Sequence, residues 1–205
     1  MSEVRLATRD EIPTLAAVLA RAFAGDPFYR YLAGDAPERS QRMRDGWVGL
    51  LRHASAGLSA TYTTDDHAGV ALWQPPGTTG PGFIASLRLL PPMSRLAGGF
   101  RHLREISRAM SLLEERRRRH APGLHFYLAA LGVEPDRQGE GVGTALVQPA
   151  LAKADADAIP AYLETATGRN VLLYERLGFT VVEELTLPDT DVHGWLMLRT
   201  PRGLR

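Results

Sequence analysis

Three glycines at alternate positions, Gly139, Gly141 and Gly143, sit inside the run Arg137-Gln138-Gly139-Glu140-Gly141-Val142-Gly143-Thr144. Glycine tolerates positive φ and lets a bulky anion approach the main chain. An apolar helical pattern starts at Gly143, so the backbone amides and partial positive charge of a helix start converge on the same place. The chemistry this arrangement suits is binding of a phosphate or diphosphate, and Arg137 sets a full charge beside it. Two other phosphate loops fail on spacing. A Walker loop needs a lysine before its Ser/Thr, and Gly143 stands before Thr144. A dinucleotide fold places its loop after the first strand, whereas this one comes late, with too few residues after it for a second nucleotide half.

Such a cradle needs a strand to deliver the loop and a helix to follow it. His125 to Val133, aromatic and aliphatic, reads as a strand running directly into the loop. Gly143 to Ala154 reads as the helix, with Pro149 expected to kink it. Beyond it come a strand at Ala161–Thr165 and a short helix at Asn170–Leu177, ended by Gly178 as a left-handed cap. Phe179–Leu187 and His193–Arg199 then form a closing hairpin. Ahead of the loop, Val4–Thr8 alternates as a strand. Ile12, Leu15, Ala16, Leu19 and Phe23 make a helical stripe, capped from Thr8 or Asp10 and broken at Gly25-Asp26-Pro27. Phe28–Leu32 is a turn or two of helix, and a longer helical pattern runs from Pro37 to Ala56. Leu58–Thr63 and Gly69–Trp73 form a hairpin, followed by a Pro/Gly loop from Gln74 to Gly82. Phe83–Leu90 and Ser94–Arg119 read as helices, the second broken near Gly98-Gly99; they make a helical insertion at residues 79–120. The run Arg116 to Arg119 reads as a solvated helix end. These elements describe one α/β domain over residues 1–205, its central sheet of about seven strands flanked by helices.

Composition narrows the classes of partner. The 205 residues, 44% of them hydrophobic, suffice for a single domain with a real core. A formal charge of +1 gives no overall attraction to nucleic acid or membrane, and the arginine run lacks interleaved aromatics. No apolar stretch approaches a bilayer span, and the N-terminus has no apolar signal core. The expectation is a cytoplasmic protein without nucleic-acid or membrane partners. Cysteine is absent, which excludes disulfides, thiolate metal sites and a cysteine acyl-enzyme. No metal is expected.

The loop also resembles something known. Gln138-Gly139-Glu140-Gly141-Val142-Gly143 is similar to the Gln/Arg-x-x-Gly-x-Gly/Ala motif of the GNAT superfamily of N-acetyltransferases. Asn170-Val171-Leu172-Leu173-Tyr174-Glu175-Arg176-Leu177-Gly178-Phe179 resembles that family's Asn-x-x-x-Tyr-Glu-x-Leu-Gly-Phe stretch, and the two stand in the family's order. The resemblance implies a mixed, mostly antiparallel sheet splayed at the cofactor strand, with acetyl-CoA as acyl donor. Leu131, Gly132 and Val133 would offer main-chain groups to the pantetheine arm, with Gly132 as the place for a bulge. Gln138, Gly139, Gly141, Val142, Gly143 and Thr144 would hold the diphosphate, with Arg137 pairing to it. Asn170 would tie the short helix to the splayed strand, touch the cofactor, or simply cap its helix. Tyr174 would sit near the sulfur and protonate the leaving thiolate, phenol and thiol having comparable reference pKa values. Val4–Asp10, Pro135–Gly139 and Leu163–Thr165 are similar to segments of puromycin N-acetyltransferase-like members, a likeness that does not transmit acceptor choice.

The reaction so implied is direct attack by a primary amine of a small molecule within a ternary complex. A strand amide near Val133 would hold the oxyanion. A base is needed, and two residues are candidates for it. Glu164 shares a face with Tyr162 on an alternating strand, and His125 titrates near neutrality close to where some relatives carry a glutamate. Asp26 with Tyr29 or Tyr31 would line the acceptor pocket. The aromatics Phe28, Tyr29, Tyr31 and Trp47 suit an apolar or aromatic amine better than a polycation. Alternative readings are a non-catalytic acyl-CoA-binding sensor and a protein or peptide N-acetyltransferase. A monomer or homodimer is expected.

Overall fold

The computed structural model describes residues 2–34, 38–53, 60–78 and 100–203. Within them seven strands form one sheet: β1 (Val4–Leu6), β2 (Thr61–Thr64), β3 (Gly69–Gln74), β4 (Phe126–Val133), β5 (Ala161–Thr165), β6 (Thr180–Thr186) and β7 (His193–Arg199). Their order is β1-β2-β3-β4-β5-β7-β6, and only β4 and β5 run parallel. Among the described residues six helices flank the sheet: α1 (Ile12–Ala22), α2 (Pro27–Ala33), α3 (Arg39–His53), α4 (Phe100–His120), α5 (Val142–Ala156) and α6 (Gly168–Arg176). This is the seven-stranded α/β domain that the patterning predicts, with the mixed, mostly antiparallel sheet that the family resemblance implies. The expected start at Pro37, the helix at Phe83–Leu90 and the break at Gly98-Gly99 lie outside the described residues.

Each face of the sheet buries its own apolar cluster. On one face α1, α2 and α3 pack Leu15, Leu19, Met43 and Trp47 against Val70, Leu72 and Ala130. On the other, α5 and α6 pack Leu146, Val147, Leu151 and Tyr174 against Trp73, Phe126, Leu128 and Met197. α5 runs unbroken through Pro149. The start of α1 differs from expectation. Neither Thr8 nor Asp10 caps it; Glu11 occupies the cap position, and its carboxylate accepts the Thr8 amide at 2.8 Å. Arg5 and His67 also bind that carboxylate, at 2.6 and 2.7 Å, which locks β1, α1 and the β2–β3 turn together. The arginine run at the end of α4 is tied down by acids rather than simply solvated. Arg117 and Arg118 pair with Glu114, Arg119 with Glu115, and Arg116 with Glu183 of β6.

The sheet opens between β4 and β5. These strands pair only from Phe126↔Ala161 to Leu128↔Leu163, and then separate. The cause is local. Against β3, Trp73 faces Leu128 while Leu72 faces Ala130, so Ala129 is an extra residue on β4. A bulge of this kind bends its strand and raises its twist. The bulge therefore sits at Ala129, not at Gly132. Gly132 is small for another reason: a Cβ there would meet Leu19 Cδ2 at 2.9 Å and Ala22 Cβ at 3.0 Å. It lets α1 lie close against β4.

A buried ion pair fastens α5 to the far strand. Arg199 of β7 is almost wholly buried and donates two hydrogen bonds to Asp155, at 2.8 and 2.7 Å, and a third to the Leu177 carbonyl at 3.0 Å. Asp155 keeps access to water, so what Arg199→Ala removes is three hydrogen bonds from a buried guanidinium, and stability to urea is expected to fall by about 2 kcal/mol. Hydrogen bonding to Arg199 holds the Asp155 carboxyl below its ordinary range. A depressed carboxylate stabilises above its unfolded value of ~4 and loses that contribution as pH falls through its folded value. The urea midpoint should accordingly fall below about pH 4, and this pair's share of the fall should vanish in Asp155→Asn.

Candidate active site

The glycine loop is built for a ligand rather than for packing. Gly139 and Gly141 adopt φ values of 89° and 84°, and nothing lies within 4 Å of where either Cβ would stand. Gly141 caps α5 in the left-handed conformation, with no side-chain cap bond. The first amide to bond back into the helix is that of Ala145, to the Gly141 carbonyl at 3.0 Å. The amides of Val142, Gly143 and Thr144 therefore have no partner within the helix, as at any uncapped helix start. Gln138 Nε2 donates to the Val133 carbonyl at 3.2 Å and pins the loop to the end of β4. These features fit a diphosphate.

Arg137 does not supply a spare charge. Its Nε donates to Glu140 at 2.8 Å and its Nη1 to Asp66 at 3.0 Å. Arg169 and Arg176 of α6 line the same cleft, and the sequence reading passed over them. The signal was available: with Leu172 and Leu173 they recur at helical spacing along one face of α6.

The cleft holds about 540 Å³. Of the residues expected to bind cofactor, Leu131, Gly132, Val133, Arg137, Gln138, Gly139, Gly141, Gly143, Thr144, Asn170 and Tyr174 all line it. Val142 does not; its side chain packs into the cluster beneath α5. Past Leu128, β4 is paired on the β3 side alone, which leaves one edge of Leu131–Val133 facing the cleft.

A second cavity, of about 160 Å³, meets the first where the strands part. Phe23, Asp26, Leu131, Asn170 and Tyr174 line both. Asp26 belongs to the junction because it caps α2: its Oδ1 accepts the Phe28 and Tyr29 amides at 2.9 and 3.1 Å. Its Oδ2 accepts Thr167 Oγ1 at 3.3 Å. Burial nevertheless pushes this carboxyl up. Tyr174 is buried, edge-on to Phe179, and burial followed by the nearby Asp26 charge raises its phenol. Asn170 Nδ2 reaches Thr165 Oγ1 at 3.4 Å, tying α6 to the end of β5.

Glu164 lines the second cavity, and burial lifts its carboxyl to about 7. The Tyr127 hydroxyl, the Arg117 guanidinium and the Tyr162 hydroxyl each oppose that rise. Arg117 lies over the Tyr127 ring, 4.3 Å from its centroid. The Tyr162 hydroxyl is buried and makes no standard hydrogen bond. His125, the other candidate base, lines neither cavity. Its Nδ1 sits 2.8 Å from the Gly123 carbonyl, and its ring packs edge-on against Tyr162. Strand alternation places Glu164 at the cavity and leaves His125 at the strand's outer end. Tyr29 lines the second cavity, whereas Tyr31 packs away from it beside Ala109 and Leu187. Trp47 stands behind the junction, stacked on Phe23 at 5.4 Å and tilted against Tyr29 at 5.2 Å.

A strand, a glycine loop that opens a helix, and a sheet split at that strand are arranged as in the GNAT fold. Comparison with known proteins agrees. The family model for the acetyltransferase (GNAT) domain matches residues 104–181. A Schizosaccharomyces pombe protein described as an uncharacterised N-acetyltransferase is 25% identical over 193 residues, covering 91% of this chain and 78% of its own length. A Corynebacterium glutamicum crystal structure, described as histone acetyltransferase HPA2 and related acetyltransferase, superposes with a TM-score of 0.71 at 25% identity over 100% of this chain and 99% of that one. The Drosophila melanogaster polyamine N-acetyltransferase superposes with a TM-score of 0.64 at 15% identity, over 98% of this chain and 100% of its own. The chain thus has the GNAT fold, and residues 104–181 are similar to the acetyltransferase (GNAT) domain. Gly141→Val forces a β-branched residue to a left-handed φ, and calorimetry should show coenzyme A affinity reduced about tenfold or more. Gly123→Ala, where the added methyl meets nothing within 4 Å, should leave it unchanged.

Proposed function

We propose that the protein transfers the acetyl group of acetyl-CoA to a primary amine of a small molecule by direct attack in a ternary complex. The observation that carries this reading is the meeting of the two cavities at Asp26, Asn170 and Tyr174. One is a cleft suited to the cofactor, and the other an apolar chamber containing a carboxylate close to half-ionised at neutral pH. The amides of Gly139 to Thr144 hold the diphosphate, and the open edge of Leu131–Val133 takes the pantetheine arm. Bound acetyl-CoA supplies an activated thioester; the remaining work falls to side chains. Glu164 takes the proton that the amine must lose.

Tyr174 stands at the junction of the two cavities, placed to give its proton to the departing thiolate. Burial raises its phenol, and the same enclosure raises a thiol bound there, so the two stay comparable and the proton moves to sulfur without a large penalty. The small size of the second cavity supports a small acceptor over a protein segment, and its buried carboxylate supports catalysis over mere sensing. The resemblance to puromycin N-acetyltransferase-like members, and the polyamine activity named for the Drosophila structure, make aminonucleosides and polyamines two arms of an acceptor screen.

Thiol release from acetyl-CoA with a panel of amines tests the reading directly, and no release with any amine sinks it. Tyr174→Phe should lower kcat by about a hundredfold. In the wild type kcat/KM should rise as pH increases through about 7, because only the deprotonated Glu164 accepts a proton. In Glu164→Gln that inflection should disappear while the amine's own ionisation remains.

A further inference from the structure

We infer that the acceptor is a monocationic primary amine with a single six-membered ring, or an alkyl body of that bulk, entering body-first into the chamber that Glu164 lines. The inference rests on the transferase reading and adds the class of substrate. The chamber's volume of about 160 Å³ is below the ~300–1,000 Å³ usual for drug-sized ligands. An apolar cavity of ~150 Å³ takes one benzene ring.

The lining sets where charge is tolerated. Among the described residues, two carboxylates bound the chamber: Asp26, at the junction with the cofactor cleft, and Glu164. The wall contributed by Leu113, Leu185, Leu187, Val192 and Leu196 carries no charge. A diamine or polyamine laid along it would leave its second ammonium against apolar carbon, at a cost of several kcal/mol unless paired. Over Tyr127 lies the Arg117 guanidinium, and its carboxylate partner Glu114 is already committed to Arg117 and Arg118, so among the described residues this side offers a second ammonium no spare counter-charge. Glu105 and Asp189, which lie near Tyr31, do not line the chamber. Phe28, Tyr29 and Tyr127 offer ring faces and edges, against which an aromatic body packs favourably.

The test compares 2-phenylethylamine, agmatine and spermidine by kcat/KM in the thiol-release assay. The expected result is a preference of about tenfold or more for 2-phenylethylamine, the scale that apolar pockets achieve. Met110 is exposed and lines the mouth, so Met110→Glu should fold. By supplying a carboxylate for a second cation it should narrow the preference over agmatine at least about threefold, while Met110→Gln does not. Agmatine or spermidine turning over as well as 2-phenylethylamine overturns the inference and leaves the transferase reading standing. If no amine releases thiol, the transferase reading fails, and calorimetry on the acetyl-CoA complex decides the class. Tighter binding of 2-phenylethylamine than of agmatine then supports it; equal or reversed affinities, or no binding by either, overturn it.

Discussion

One inserted alanine governs the architecture of this molecule. Ala129 interrupts the register of β4 against β3 immediately after the last pairing of β4 with β5. A sheet that stayed closed would bury Leu131–Val133 between two strands. Because β4 bends away, its main chain gains a free edge, and the gap behind it becomes the place where two cavities join. The glycine loop, α5 and α6 are then arranged around that gap. The loop is pinned to the end of β4 by Gln138, and α6 is tied to the end of β5 by Asn170. Each motif therefore hangs from one of the two strands that part.

The junction concentrates polar groups that a folded interior ordinarily avoids. Asp26 and Glu164 are both carboxyls raised by burial, and Tyr174 sits beside Asp26 with its phenol raised as well. None is stranded without support. Asp26 is fixed by two amides and a hydroxyl, and Glu164 is offset by two phenols and a guanidinium. Rigid aromatic packing from Phe23, Tyr29 and Trp47 braces the same corner. Stability is made up elsewhere, notably by the buried Arg199–Asp155 pair and by the two apolar clusters on either face.

How far the sequence could be read depended on the range of the interactions involved. Gly139, Gly141 and Gly178 require positive φ, and helices α1, α5 and α6 carry their own stripes, so the loop and its flanking elements were legible from local spacing. So was the placing of Glu164, since alternation alone put it on one face with Tyr162. What failed depended on distant partners. Arg137 looks like a free cation until Asp66, far away in the chain, is folded beside it. Gly132 invites a bulge, but its smallness answers to Leu19 and Ala22 of α1, while the true bulge falls on an alanine that carries no local mark. His125 and Glu164 were equal candidates until the strand ends were placed relative to the cavities. The start of α1 was not legible for the same reason: no side chain caps its first amides, and the Glu11 carboxylate is committed instead to Arg5, His67 and the Thr8 amide ahead of the helix.

The aromatic corner has a consequence for how the molecule reports on itself. Trp47 touches no ligand space, yet it leans on Phe23, which borders both chambers, and on Tyr29, which borders one. A guest that shifts either ring changes the electric field and the solvation felt by that indole. The other two tryptophans stand apart from this corner, Trp73 in the opposite cluster and Trp195 against His193. The fold thus contains an optical gauge of occupancy at its own crossroads, with no dye or label attached.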